Sequence, residues 1–592
     1  MCGIFGYLGE RARENTIVGL KRLEYRGYDS AGIATLNNFT RKFDVFKDKG
    51  RVSNLEEIID KSYPCRMAIA HTRWATTGEA NKANAHPHIS EDGRFIIVHN
   101  GIITNYEDIK KEYLANVKFK SETDTEVLVN LIMKFHNEGL TVLECIKKSM
   151  NIIKGNYAFL LIDSWNSEVI FFAKKGSPLL LGRCDKGYVL SSDTISFNDF
   201  AKEYVIVGDE QFGALSCEGF NIYDKNGIEK LILPKEVKKE EYDISMGSFE
   251  YYMLKEIYEE PKVIDAIIDN YFKDDEIIFD NNIIDTIKNS SKITFVGNGS
   301  SYNAGCLGKC YFETISKKEA NISYGSELLY EDLNIKEDEC FIFLSQSGET
   351  IDSINCIKKI NKKAKCITIT NFNLSTMARL SDYTIELYAG NEVAVASTKT
   401  YVAEAVILLA LAYKIVNKEG LKKELISLKD EIKHILVRKE EIKSFALELS
   451  SAKEMFIIGK GLDFYLTKEA SLKFREVPYL NAISYPSGEL KHGPLALIDE
   501  DTPVLAIVTN EKTSHITRIN LEEAITRHAL GFVISSDNVK KDNDRFIIKY
   551  IGDILTPLAL TTVIQLLSYE IGYARGNDID KPKNIAKCVT VD

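Results

Sequence analysis

The 592-residue chain has no C-x2-C pair among its 11 irregularly spaced cysteines, which sets aside both a zinc ribbon and a disulfide framework. It has no basic excess either. Lys+Arg total 75 and Asp+Glu 86, a formal charge of −11 that invites no nucleic acid, so an anionic ligand must be held by local groups. MCGIFGYLGERARE lacks a charged n-region before an apolar h-region, so no secretory signal is expected. The two most apolar stretches, Tyr401–Val416 and Ile554–Ala574, are not clean: Glu404 interrupts one, and Pro557, Gln565 and Glu570 the other. Both read as buried helices, and no membrane association is expected. His71, His86, His88 and His99 follow no zinc spacing, so neither a metal nor a cofactor is expected. What is present, 45% hydrophobic and 27% charged residues, is an ordinary globular balance, and the whole reads as a reduced, cytoplasmic, multidomain protein.

From Met1 to about Pro234 short strand-like runs follow one another: GIFGYLG, SAGIATL, RMAIAHT, RFIIVHNG, NYAFLLID, EVIFFAKK, GYVLSSD, EYVIVGD, FGALSCEG and FNIYD. Helical patterns interrupt near Ile17–Leu23 and at Asp124–Phe135, which predicts stacked sheets with helices outside. PKEVKKEEYD, around Lys235–Asp243, reads as a linker. Beyond it strand–loop–helix units alternate. Strands at Lys292–Val296, Cys340–Leu344, Lys365–Ile369 and Tyr383–Leu387 recur roughly 160–165 residues later at Glu454–Ile458, Pro503–Val508, Gly531–Ile534 and Phe546–Lys549. This predicts a duplicated, doubly wound α/β domain with ligands at the C-terminal strand ends. The expected divisions are 1–240, a linker and helical lead-in at 241–280, α/β domains at 281–420 and 421–582, and a tail at 583–592.

Several constellations carry chemistry. Cys2 directly follows the initiator, and removal of Met1 joins a thiol and an α-amine on one residue; the amine, with a reference pKa of about 7.7–8.0, is a base near neutrality. In HTRWAT, Arg73 ends a strand, where its planar fork suits a ligand carboxylate. In HNGIITN, Asn100 and the Gly101 amide suit a developing oxyanion. In SETDTE, Asp124 suits an ammonium group, or else caps its helix. SQSGET supplies Ser345, Gln346, Ser347 and Thr350 between a strand and a helix, a phosphate cradle without a lysine, and the equivalent VTNEKTSH of the second repeat lacks the set. Ser300, Ser397 and the Val395 backbone, at neighbouring strand ends, are expected against the rest of a sugar. Lys473 and Glu476 share a helix face as a mutually tuned pair or a plain salt bridge, His492 titrates near neutrality, and Lys587 is the reactive amine of a tail folding over the site.

CGIFGYLG, LEYRGYDSAG, AHTRWATTGE, NAHPH, HNGIITN and SETDTE together resemble the glutaminase domain of N-terminal-nucleophile amidotransferases, and more narrowly the glucosamine-6-phosphate synthase family. LKFREV, SGELKHGPLALID and DKPKNIAKCVTVD resemble the isomerase half of the same family, so the likeness covers nearly the whole chain. It implies an α+β glutaminase sandwich followed by two sugar-isomerase (SIS) domains, making glucosamine 6-phosphate from fructose 6-phosphate and glutamine at the head of hexosamine synthesis. It further implies that Cys2 attacks the glutamine side chain, Asn100 and Gly101 form the oxyanion hole, and Arg73, Thr76 and Asp124 hold the backbone groups. His86 would sit on a loop closing over them, and Trp74 would gate ammonia. His492 would arrive from the neighbouring subunit of a homodimer to open the sugar ring, Lys587 would form a Schiff base, and Glu476 with Lys473 would move the proton. An amidotransferase serving a phosphoribosyl or aspartyl acceptor would need a GxxxxGK(S/T) or SGGxDS loop, and neither occurs. A sugar-phosphate sensor with a vestigial glutaminase would not need Lys473, Glu476, His492 and Lys587 together.

Overall fold

The computed structural model describes residues 2–197, 200–237, 245–332 and 334–589. It divides into two compact units, Met1–Tyr242 with Cys588–Asp592, and Asp243–Lys587.

The first unit is built on two antiparallel sheets. One has eight strands, with Gly3–Gly9 between Gly187–Ser191 and Met67–Arg73; the other has six, with Phe95–Ile103 beside Gly155–Asp163. Period-two alternation explains the layering. Ile4, Leu8, Met67 and Ile69 point inward against Ile96, Val98 and Leu160 of the other sheet, while Phe5, Ala68 and Ala70 turn outward onto the helix Ala12–Leu23. Ile97 and Phe159 turn outward onto Val127 and Leu131 of the helix Asp124–Asn137. A helix–sheet–sheet–helix sandwich results.

The second unit holds two five-stranded sheets, parallel throughout. The first runs Ala320–Tyr324, Lys292–Gly297, Glu339–Leu344, Lys365–Thr370, Tyr383–Glu386; the second runs Asn481–Pro486, Glu454–Gly459, Pro503–Val508, Leu530–Ser536, Phe546–Ile548. Both follow the order 2-1-3-4-5, so each chain reversal opens a crevice at the C-terminal strand ends. The expected duplication is therefore present. The helices Lys399–Ile415 and Leu555–Ala574 are buried nearly all round, and no helix among the described residues is long and apolar enough to cross a membrane.

Three features bear on the expected divisions. Lys235–Glu236 is no linker but a short strand paired with Glu203 and Tyr204; residues 238–244, the rest of that stretch, lie outside the described residues. The lead-in placed at 241–280 contains a 20-residue helix, Tyr252–Tyr271, that packs on Lys399–Ile415, Leu421–Val437 and Leu555–Ala574. One apolar core then runs from Met253 to Ile579 through both sheets, without a break at 280 or 420. The edge strands Ala320–Tyr324 and Asn481–Pro486 escape the apolar-run reading because each is only partly buried.

Candidate active sites

In the first unit the end of Met67–Arg73 turns across Cys2. The Asp29 amide donates to the Arg73 carbonyl at 3.0 Å and the Asp29 carboxylate accepts from Ala75 at 2.8 Å, which fixes the turn. The Trp74 amide then donates to the Cys2 sulfur at 3.4 Å, and the thiol lies 3.6 Å from the Trp74 carbonyl. Burial pushes the Cys2 thiol up, against the Trp74 amide and Arg73, so the resting group is a thiol that needs a base. Met1 lies outside the described residues.

Trp74 touches the sulfur, and the charges of Arg73 and Asp124 act on it. Asn100 is buried, and neither its side-chain nitrogen nor its oxygen finds a hydrogen-bond partner, the signature of a donor kept for a ligand. Gly101 has φ +120°, and a Cβ there would lie 2.0 Å from the Asn156 carbonyl, so no other residue fits the bend. Asp124 is not the helix cap. Thr123 is, its hydroxyl accepting from Glu126, which leaves the Asp124 carboxylate to accept the Ile103 amide at 2.7 Å. Arg73 is buried with its fork on the Thr77, Gly78 and Glu79 carbonyls at 2.5, 3.0 and 3.1 Å. Thr76 is exposed and, with Thr77, Gly78, Tyr106 and Ser121, lines an open cleft of about 710 Å³. The Trp74 ring meets Tyr28 edge-on.

His86 stands on the loop between Met67–Arg73 and His88–Ile89, but its ring is buried: it stacks on His71 at 4.0 Å, meets His88 at 4.7 Å, and its Nδ1 accepts the His99 amide at 3.2 Å. Burial pushes His71, His86 and His88 well below the usual histidine range, so these rings are neutral packing and hydrogen-bonding groups. Among the described residues no three His, Cys, Asp or Glu side chains are grouped as metal ligands.

In the second unit SQSGET joins Glu339–Leu344 to the helix Ile351–Ile360. The Ser345 hydroxyl accepts the Gly348 amide and meets the Thr350 hydroxyl, both at 3.0 Å. Gly348 has φ +63°, and a Cβ would strike the Ser375 hydroxyl at 2.0 Å. Thr350 occupies the cap position of the helix, and its side chain makes no cap hydrogen bond. The Ser347 hydroxyl accepts from Glu349, and the Gln346 carbonyl takes the Thr370 hydroxyl.

The remaining sugar residues are tied inward, as buried polar groups must be. Ser300 donates to Glu469 at 2.8 Å, Ser397 to Glu392 at 3.0 Å, and the Val395 amide to the Asp580 carbonyl at 2.9 Å. Lys473 is fully buried, 2.5 Å from Glu476 and 3.5 Å from Glu469, so the plain salt bridge and the tuned pair coexist. Burial alone would push the Lys473 ammonium down, but the two carboxylates hold it above the usual lysine range. Lys587 is buried against Glu392, whose charge also reaches Lys473. Glu392 thus links the Lys587 pair to the Lys473–Glu476 pair electrostatically. His492 stands exposed at the end of the short helical segment Ser487–His492. Sequence reasoning missed Glu392 and Glu469. Each had a faint signal, an acid within NEVAVAS and one four residues before Lys473, that period alone does not raise above a solvated charge.

The glutamine amidotransferase domain family matches residues 55–204, and the SIS domain family matches 286–414 and 448–545. Glutamine--fructose-6-phosphate aminotransferase (isomerizing) of Geobacillus kaustophilus is 41% identical over 602 residues, and that of Bacillus subtilis 40% over 610, each alignment covering 100% of both chains. Among solved structures, the C-terminal domain of glucosamine-fructose-6-phosphate aminotransferase from Francisella tularensis matches 57% of this chain and all of its own, with 31% identity and a TM-score of 0.54. Matches to both domain families and full-length identity of about 40% show that the chain belongs to the isomerizing glutamine--fructose-6-phosphate aminotransferase family.

Proposed function

We propose that the protein converts glutamine and fructose 6-phosphate to glutamate and glucosamine 6-phosphate, supplying hexosamine synthesis. Removal of Met1 bares the Cys2 amine, which takes the thiol proton directly or through water. The sulfur attacks the glutamine side-chain carbonyl while the Asn100 amide and the Gly101 N–H receive the oxyanion. Arg73 exchanges the Thr77–Glu79 carbonyls for the substrate carboxylate, Asp124 takes its ammonium, and Thr76 completes the contact. Ammonia leaves past Trp74, and water hydrolyses the thioester.

In the second unit Ser345, Gln346, Ser347, Thr350 and the helix start hold the phosphate, and Ser300, Val395 and Ser397 line the sugar. His492, exposed in its own chain, opens the ring bound by a second copy, which makes the working form a homodimer. Lys587 forms the Schiff base at carbon 2, ammonia displaces it, and Glu476, with Lys473 beside it, carries the proton from carbon 1 to carbon 2. The single observation carrying this reading is a linked set of charges in the second unit: Lys473 pairs with Glu476 at 2.5 Å, and Glu392, the partner of Lys587, also acts on the Lys473 ammonium. Eleven free cysteines support a cytoplasmic, reducing setting. The test is to quantify glutamate and glucosamine 6-phosphate from the two substrates. Equal yields are expected, and Cys2→Ala abolishes both; undiminished glutamine-dependent synthesis by that variant overturns the reading.

A further inference from the structure

Glu256, Glu260, Glu392, Glu404 and Glu469 are among the buried carboxyls of the second unit, and they are not alike. Burial pushes Glu256, Glu260 and Glu404 each up to about 8 and raises Glu469 as well, so they favour the neutral acid. Glu392 is the exception: burial acts on it too, yet Lys587 and the Thr398 and Thr400 amides bring it down to about 2. Its oxygens divide the contacts. Oε1 accepts the Thr398 and Thr400 amides at 2.9 and 3.0 Å, and Oε2 accepts the Ser397 hydroxyl and the Lys587 ammonium. Glu256, on Tyr252–Tyr271, grips the same loop through the Val393 and Ala394 amides. The other lysines nearby have their own partners, Lys399 with Glu259 at 2.7 Å and Lys473 with Glu476.

We infer that Glu392 is the counter-ion of the Lys587 centre, fixing the ammonium before the ketose arrives and remaining as its negative partner through the Schiff base. The inference rests on the Schiff-base reading above. The step suits such a partner. A lysine ammonium and a ketone give a protonated imine and one water: the C–N double bond forms, the C–O bond breaks, and two of the three nitrogen protons leave with the oxygen. The nitrogen carries one positive charge before and after, so a single buried carboxylate matches both states and no charge is created or lost in a medium of low dielectric. Displacement by ammonia returns the same ammonium to the same carboxylate.

Glu392→Gln keeps an oxygen for the Thr398 and Thr400 amides and removes the charge. The full-length enzyme with fructose 6-phosphate alone is reduced with borohydride, and the fraction of Lys587 carrying the sugar is read by peptide mass. The wild type traps the adduct. In Glu392→Gln both the trapped fraction and kcat for synthesis fall about tenfold or more, as for loss of a charged hydrogen bond, while KM for fructose 6-phosphate moves less. Glu392→Asp, which returns the charge at shorter reach, recovers part of both. Wild-type trapping in Glu392→Gln, or no recovery in Glu392→Asp, overturns the counter-ion role. No wild-type adduct, or one on another lysine, overturns the Schiff-base reading itself.

Discussion

In the first parallel sheet the turn after Glu339–Leu344 reaches its helix with Thr350 at the cap position, and the Thr350 side chain makes no cap hydrogen bond. In the second, the turn after Pro503–Val508 is already filled. Asn510 caps by accepting the Lys512 amide at 2.9 Å, and the carboxylate of Asp463, from the neighbouring strand–helix turn, accepts the Thr509 amide at 2.9 Å and its hydroxyl. One strand order therefore serves two ends. The proposed function gives the helix start of the first repeat to an external anion; the second closes its own turn with Asn510 and Asp463 and contributes Lys473 and Glu476. Duplication copies a crevice, and side chains decide whether the crevice stays open.

The largest effect expected from this division is in the second repeat. Lys473→Met should lower synthesis by roughly 10²–10⁴-fold, the usual weight of an acid–base group, with basal glutaminase activity retained. A rate near wild type would remove proton handling from this repeat. In the first repeat, Gly348→Ala forces a Cβ onto a left-handed residue against Ser375, and KM for fructose 6-phosphate should rise roughly ten- to a hundredfold. An unchanged KM would place the phosphate elsewhere. Asp463→Ala supplies the contrast: it orphans Thr509, should cost about 1–3 kcal/mol in urea unfolding, and should leave that KM within about twofold. A large KM change would mean that the second turn also meets substrate.

The smallest effect concerns the helix both repeats share. Glu260 on Tyr252–Tyr271 accepts the Thr562 hydroxyl at 2.7 Å, and burial pushes its carboxyl up to about 8 from 4.5. The folded chain thus binds a proton that the unfolded chain releases, so stability falls as pH rises between about 4.5 and 8 and levels off above. Glu260→Gln should flatten that part of the melting-temperature profile; an unaltered slope would show the carboxyl to be ionised throughout.

Local pattern carried most of the architecture. Alternating runs gave nearly all long strands of the first unit, and the repeat gave the duplicated sheets, because burial against a sheet writes itself into sequence at period two or as continuous apolar runs. Partly buried edges left no such mark, as Ala320–Tyr324 and Asn481–Pro486 show. Cys2, Ser345 and Thr350 stood out in sequence as candidates because they sit at a chain end or a strand–helix turn, and Asn100 and Gly101 because a polar amide and a glycine interrupt the apolar run of the strand Phe95–Ile103. Glu392, Glu404 and Glu469 were not, since an acid in sequence carries no sign of whether water or protein will surround it.

The sequence by itself determined which segments are strands and helices, that the second half repeats, and which turns hold unusual donors, for these follow from spacing and local backbone chemistry. Only the tertiary structure decided that Asp463 fills one turn while the other stays open, that Thr123 rather than Asp124 caps its helix, and that Lys587 meets Glu392, 195 residues away in the chain. Burial and pairing depend on which distant segments arrive at the same place, and they alone set which carboxyl keeps its charge.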